Sequence, residues 1–156
     1  MFGKRSNGGK LKAPFSGKAV ALTEVPDPVF SGLILGNGAA VIPEGDTAVS
    51  PCDGKIINIA DTLHAYGIET KDGFEVLVHI GLNTVELNGE GFECLVKEGQ
   101  KVKAGDPLCR ADLELIRSKG YETYTPVVIT NSDDAAEIKS ISGDCTAGET
   151  VIADYK

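Results

Sequence analysis

From Glu75 the chain reads E-V-L-V-H-I, so that Val76, Val78 and Ile80 alternate with Glu75, Leu77 and His79. Strict alternation marks a half-buried strand, which predicts a valine–isoleucine face turned into a core and His79 on the opposite face. Upstream, Tyr66 to Thr70 is a second β-prone run, and Asp72-Gly73 between the two is a strong turn signal. Together they predict a hairpin. Helical periodicity is scarce. Asp112 to Gly120 offers an N-cap candidate and a glycine just past its end, which predicts one short helix; Asp27-Pro28 opens a single helical turn.

The rest of the chain is short apolar segments punctuated by turns, and it contains echoes of itself. Ala13-Pro14-Phe15-Ser16-Gly17-Lys18 resembles Ser50-Pro51-Cys52-Asp53-Gly54-Lys55, both in the form P-x-x-G-K followed by apolar residues. Gly45-Asp46-Thr47 is echoed by Gly148-Glu149-Thr150, and Lys97 to Asp106 reads as a ribbon of two turns. Such units cannot bury a face alone and are expected to stack into an antiparallel β-sandwich or barrel-sandwich with one or two helical turns. The ribbon resembles lipoyl and biotinyl domains, but no lysine sits at a hairpin tip in the context those carriers use.

Composition narrows the class. The 156 residues include 19 glycines, 7 prolines and no tryptophan, in keeping with many short strands in a single domain over residues 13–156. The basic, glycine-rich start is expected to form a flexible tail over residues 1–12. A formal charge of −8 argues against nucleic acid as a partner and suits a basic protein. No apolar run is long enough to span a bilayer. Cys52, Cys94, Cys109 and Cys145 form no CxxC and read as free thiols in a reducing compartment.

The only two histidines, His64 and His79, flank the predicted hairpin. A two-residue turn at Asp72-Gly73 would make them diagonal neighbours about 7–8 Å apart on one face. A four-residue turn would set them directly opposite, and a three-residue loop would separate them unless a bulge restored the parity. Two neutral imidazoles can ligate zinc, although a catalytic site usually takes three protein ligands. They can run acid–base chemistry, although no nucleophile is evident beside them. Or one can accept a phosphoryl group while the other donates a hydrogen bond to it, which needs the fewest further parts.

At Thr62-Leu63-His64-Ala65-Tyr66-Gly67-Ile68 and Val76 to Val85 the sequence closely resembles the glucose-type enzyme IIA family of the bacterial phosphoenolpyruvate:sugar phosphotransferase system. Supporting stretches are Asp27 to Phe30, Gly89 to Phe92, Glu98 to Gln100 and Thr125 to Val128, and the likeness runs from Leu11 to the C-terminus, nearly the whole chain. The resemblance implies a duplicated β-sandwich and a phosphotransferase component working through a phosphohistidine. His79 would accept the phosphoryl group from HPr and pass it to a cysteine of an enzyme IIB domain, which works with the membrane IIC domain. His64 would be the helper that hydrogen-bonds the group, and Thr62 the hydroxyl that orients His64.

The same resemblance places Asp27, Phe30, Leu77, Asn83, Val85 and Glu86 on the partner-docking rim, with Asn83 standing where many members have aspartate. It implies a cytoplasmic protein that meets the inner face of the membrane through the permease and can also bind regulated permeases or kinases. No cofactor is required, and zinc would enter only as a bridge to a partner carboxylate. Two alternatives stand beside it: a zinc-dependent cell-wall peptidase of related fold, which requires a further histidine, and a purely regulatory binding protein.

Overall fold

The computed structural model describes residues 8–156. In chain order its strands are β1 (Gly9–Lys12), β2 (Ser16–Ala21), β3 (Asn37–Glu44), β4 (Thr47–Val49), β5 (Gly54–Ile59), β6 (Ala65–Glu69) and β7 (Glu75–His79). They continue with β8 (Phe92–Cys94), β9 (Lys101–Val102), β10 (Pro107–Ala111), β11 (Thr125–Ile129), β12 (Ile138–Ser140), β13 (Gly143–Cys145) and β14 (Val151–Tyr155). An eight-stranded sheet of order β13-β2-β3-β11-β7-β6-β5-β9 faces two three-stranded sheets, β1-β14-β12 and β4-β10-β8. Every strand pairing among the described residues is antiparallel. This is the expected all-β sandwich.

The two P-x-x-G-K segments lead into β2 and β5, each joining the large sheet, so the sequence echo is also a structural one. Both helical expectations hold. The Asp112 side chain accepts from Leu115 N–H at the start of α2 (Leu113–Ser118), and Asp27 accepts from Val29 N–H at the start of α1 (Pro28–Ser31). The boundary expected after Lys12 does not hold. Gly9–Lys12 pair with β14, and Leu11 is fully buried in the main core because its apolar side chain has a strand to lie against. Residues 1–7 of the expected tail lie outside the described residues.

The large sheet has two apolar sides. Val76, Val78 and Ile80 join Tyr66, Phe15, Leu108 and Ile152 in the main core that links all three sheets. On the other face a smaller cluster, Val20, Leu22, Val25, Phe30, Ala40, Leu82 and Val128, packs with Leu77 and Tyr124 beneath the Leu22–Ser31 segment. His79 lies on this second face. The main core fixes the strand from behind, while the smaller cluster builds the surface in front of it.

Candidate functional site

The hairpin that carries the site differs in register from both even-loop expectations. Glu69 pairs with Glu75 and Ala65 with His79, so Lys71, Asp72 and Gly73 form a loop of odd length. Side-chain chemistry sets this choice. Thr70 Oγ1 donates to the Asp72 carboxylate at 2.6 Å and accepts from Phe74 N–H at 3.0 Å, while Gly73 adopts φ 89°. A three-residue loop with a left-handed glycine closes the hairpin.

Regular alternation would then put His64, one position beyond Ala65, on the opposite face from His79. It does not. His64 stands outside β6, immediately after Leu63, which is left-handed at φ 63° and whose N–H donates to Ala60 at 2.8 Å. The tight turn ends the pleat before His64, and its ring meets His79 edge-on, centroids 4.7 Å apart and planes at 85°. The expected shared face is present, produced by a kink at the strand entrance and not by turn parity.

Each imidazole is held by its Nδ1. His79 Nδ1 lies 2.8 Å from the Gly81 carbonyl oxygen, which can only accept, so Nδ1 carries the proton and Nε2 keeps its lone pair. His64 Nδ1 lies 2.8 Å from Thr62 Oγ1, as expected of the pair. When the hydroxyl donates in this contact, the His64 proton sits on Nε2. Burial pushes the His64 pKa down to about 4, helped by His79 beside it. Burial also lowers His79, opposed by the Gly81 hydrogen bond and by the charge of Asp27. Both rings are therefore neutral near pH 7, with the His79 lone pair on Nε2.

The expected rim divides into two groups. Phe30 is buried, with its ring 5.0 Å from His79, Asp27 acts on His79 through its charge, and Leu77 lies two positions before it in β7. Asn83, Val85 and Glu86 lie on the turn and 3-10 helix that follow Gly81, and all three are exposed. Asn83 is left-handed at φ 61°, a conformation asparagine tolerates well. Glu86 accepts a hydrogen bond from Tyr121 at 3.0 Å.

Sequence reasoning missed three contributors. Tyr121 is distant in the chain and carried no local signal. Leu63 was missed because leucine does not advertise a left-handed backbone. Gly81 could have been found, as a glycine directly after a strand: it sits at φ 80°, where an added Cβ would lie 2.5 Å from Thr84 Cγ2.

The family model described as "phosphoenolpyruvate-dependent sugar phosphotransferase system, EIIA 1" matches residues 9–135. The chain belongs to this EIIA family. A glucose-specific EIIA component of Bacillus anthracis is 49% identical over 151 residues, covering 96% of this chain and 92% of that protein. A glucoside-specific EIICBA component of Staphylococcus carnosus is 49% identical over 128 residues, which make up 82% of this chain but only 18% of that longer protein. Among solved structures, the glucose permease IIA of Mycoplasma capricolum has a TM-score of 0.87 and 38% identity, covering 93% of this chain and 94% of that one. As an EIIA protein the chain is a phosphoryl-carrying phosphotransferase component. No helix of the described residues is long and apolar enough to cross a membrane.

Proposed function

We propose that this EIIA protein carries the phosphoryl group as a phosphohistidine on Nε2 of His79. It would receive the group from the phosphohistidine of HPr and pass it to a cysteine of an enzyme IIB domain. The observation that carries the reading is the edge-on imidazole pair, each ring held through Nδ1 so that both Nε2 atoms are available. In the forward step the His79 Nε2 lone pair forms a bond to phosphorus as the donor's N–P bond breaks in line. His64 Nε2–H donates to a phosphoryl oxygen, and Thr62 orients that ring. One phosphoramidate replaces another, so the transfer needs little driving force, and positioning with charge stabilisation supplies most of the catalysis. Phe30, Leu77 and Val85 would exclude water from the docked interface, with Asp27 and Glu86 facing a basic partner and Asn83 lowering the local charge.

No cofactor enters this scheme. A zinc ion held by His64 and His79 would need a further ligand from a docked partner, since no group of three potential ligands gathers among the described residues. The protein would work in the cytoplasm, brought to the membrane by its permease, where regulated permeases or kinases could meet the same face.

The test is incubation with phosphoenolpyruvate, enzyme I and HPr. An acid-labile phosphohistidine is expected at His79, and His79→Ala should lose the label; labelling of that variant at the wild-type level sinks the assignment. His64→Gln is expected to accept the label but pass it to the IIB domain at least tenfold more slowly. Unchanged onward transfer would remove the helper role.

A further inference from the structure

Two cysteines stand opposite one another across β8 and β10. Cys94 in β8 and Cys109 in β10 are direct register partners across an antiparallel pairing. In the same ladder Leu95 N–H donates to Leu108 O at 2.9 Å and Asp112 N–H to Gly91 O at 2.8 Å. Hydrogen-bonded positions alternate along such a ladder, so Cys94 and Cys109, one step inside Leu95 and Leu108, occupy a non-hydrogen-bonded position. There the Cα atoms stand about 4.5 Å apart and the side chains are at their closest. That separation lies within the range of about 4.4–6.8 Å that a disulfide spans.

Two further observations point to this spot. Tyr66 is fully buried, and its hydroxyl has no hydrogen-bond partner of the ordinary kind; the Cys109 and Cys94 thiols are the polar groups beside it. The Cys109 thiol also reaches the Leu63 carbonyl at 3.8 Å and that of Arg110 at 3.3 Å. Leu63 is the left-handed residue between Thr62 and His64. All four cysteines are free, and of this pair Cys94 is half-buried while Cys109 is buried.

We propose that Cys94 and Cys109 form a dithiol site that a peroxide converts to a disulfide, placed to act on His64 through Leu63. The half-buried Cys94 sulfur, on losing its proton, attacks a peroxide oxygen. The O–O bond breaks, giving a sulfenic acid and releasing water. The Cys109 sulfur then attacks the Cys94 sulfur, and the hydroxyl leaves as a second water with the Cys109 proton. The two thiols lose two electrons, and one hydrogen peroxide becomes two waters. Burial pushes the Cys109 thiol up to about 11, so first attack falls to the less buried Cys94, and Cys109 gives up its proton to the departing hydroxyl as it closes the bridge. Oxidation removes the S–H that faces the Leu63 carbonyl. Its consequence for phosphoryl transfer rests on the reading of His64 as helper.

The experiment treats the full chain with hydrogen peroxide and records intact mass and a non-reducing peptide map. A loss of about 2 Da, a Cys94–Cys109 crosslink and reversal by dithiothreitol are expected. Cys94→Ser and Cys109→Ala, each checked for folding by circular dichroism, should not show that loss. Over-oxidation of Cys94 with no crosslink, or a bridge to Cys52 or Cys145, overturns the site. Imidazole nitrogen NMR supplies the second readout: His64 signals should move on oxidation of the wild type, and unmoved signals overturn the coupling. Neither readout involves a phosphoryl group, so both stand or fall independently of the His79 assignment.

Discussion

At the scale of single residues, the site depends on where one backbone carbonyl, one hydroxyl and two protons lie. Gly81 can present its carbonyl to His79 because it adopts φ 80° and has no Cβ to meet Thr84. In Gly81→Ala the left-handed backbone costs about 1–2 kcal/mol and the carbonyl shifts. The proposed phosphorylation of His79 is expected to slow about tenfold or more, with nitrogen NMR showing a mixed tautomer; an unchanged tautomer and rate would remove Gly81 from the positioning machinery. The His64 shift also predicts a pH dependence of stability. Its folded pKa of about 4 lies below the ordinary 6.5, so between those values the unfolded chain binds more protons and stability falls as pH is lowered. Above pH 6.5 this contribution is fully present. Thermal melts of the wild type should drop between pH 6.5 and 4, and His64→Gln should show a shallower drop. His79 was legible as a surface-facing strand residue from alternation alone, and the flanking motif gave both rings their expected roles. The route by which His64 joins it was not legible, because a left-handed Leu63 carries no sequence signal.

At the scale of elements, α1 is a single turn held by one side chain, yet it carries Phe30 onto His79. Asp27 has two tasks: it caps Val29 N–H at 2.9 Å and its charge raises the His79 pKa. Asp27→Ala should cost about 1 kcal/mol through the lost cap and lower the His79 pKa, as read by NMR titration. Asp27→Asn should keep most of the cap while still lowering that pKa, which separates the two effects. Both short helices were readable because capping is local chemistry: an aspartate before proline, and an aspartate leading to a glycine. The hairpin loop was readable as a turn but not in its length. Thr70, whose hydroxyl selects the three-residue form, looked like an ordinary strand residue.

At the scale of the whole molecule, a charge of −8 and an exposed Val85 and Glu86 on the segment that follows Gly81 predict steered association with a basic partner. Raising salt from about 0.05 to 0.5 M should slow association with HPr, the partner proposed above, about tenfold or more while leaving dissociation nearly unchanged. Stopped-flow fluorescence checks this, and a salt-independent rate would place the recognition in the apolar rim alone. The duplicated sandwich was legible from the P-x-x-G-K echo, whereas the strand order of the sheets was not, since it depends on pairings between distant segments. The pairing of β1 with β14 sets Gly9 opposite Tyr155. The fold therefore takes in and releases its chain at one place. A short loop across that place, with new ends opened at the Lys97–Gly99 turn, should give a permuted protein that keeps the imidazole pair. A pull applied at Gly9 or at Tyr155 would therefore act on the histidine face from one and the same anchor.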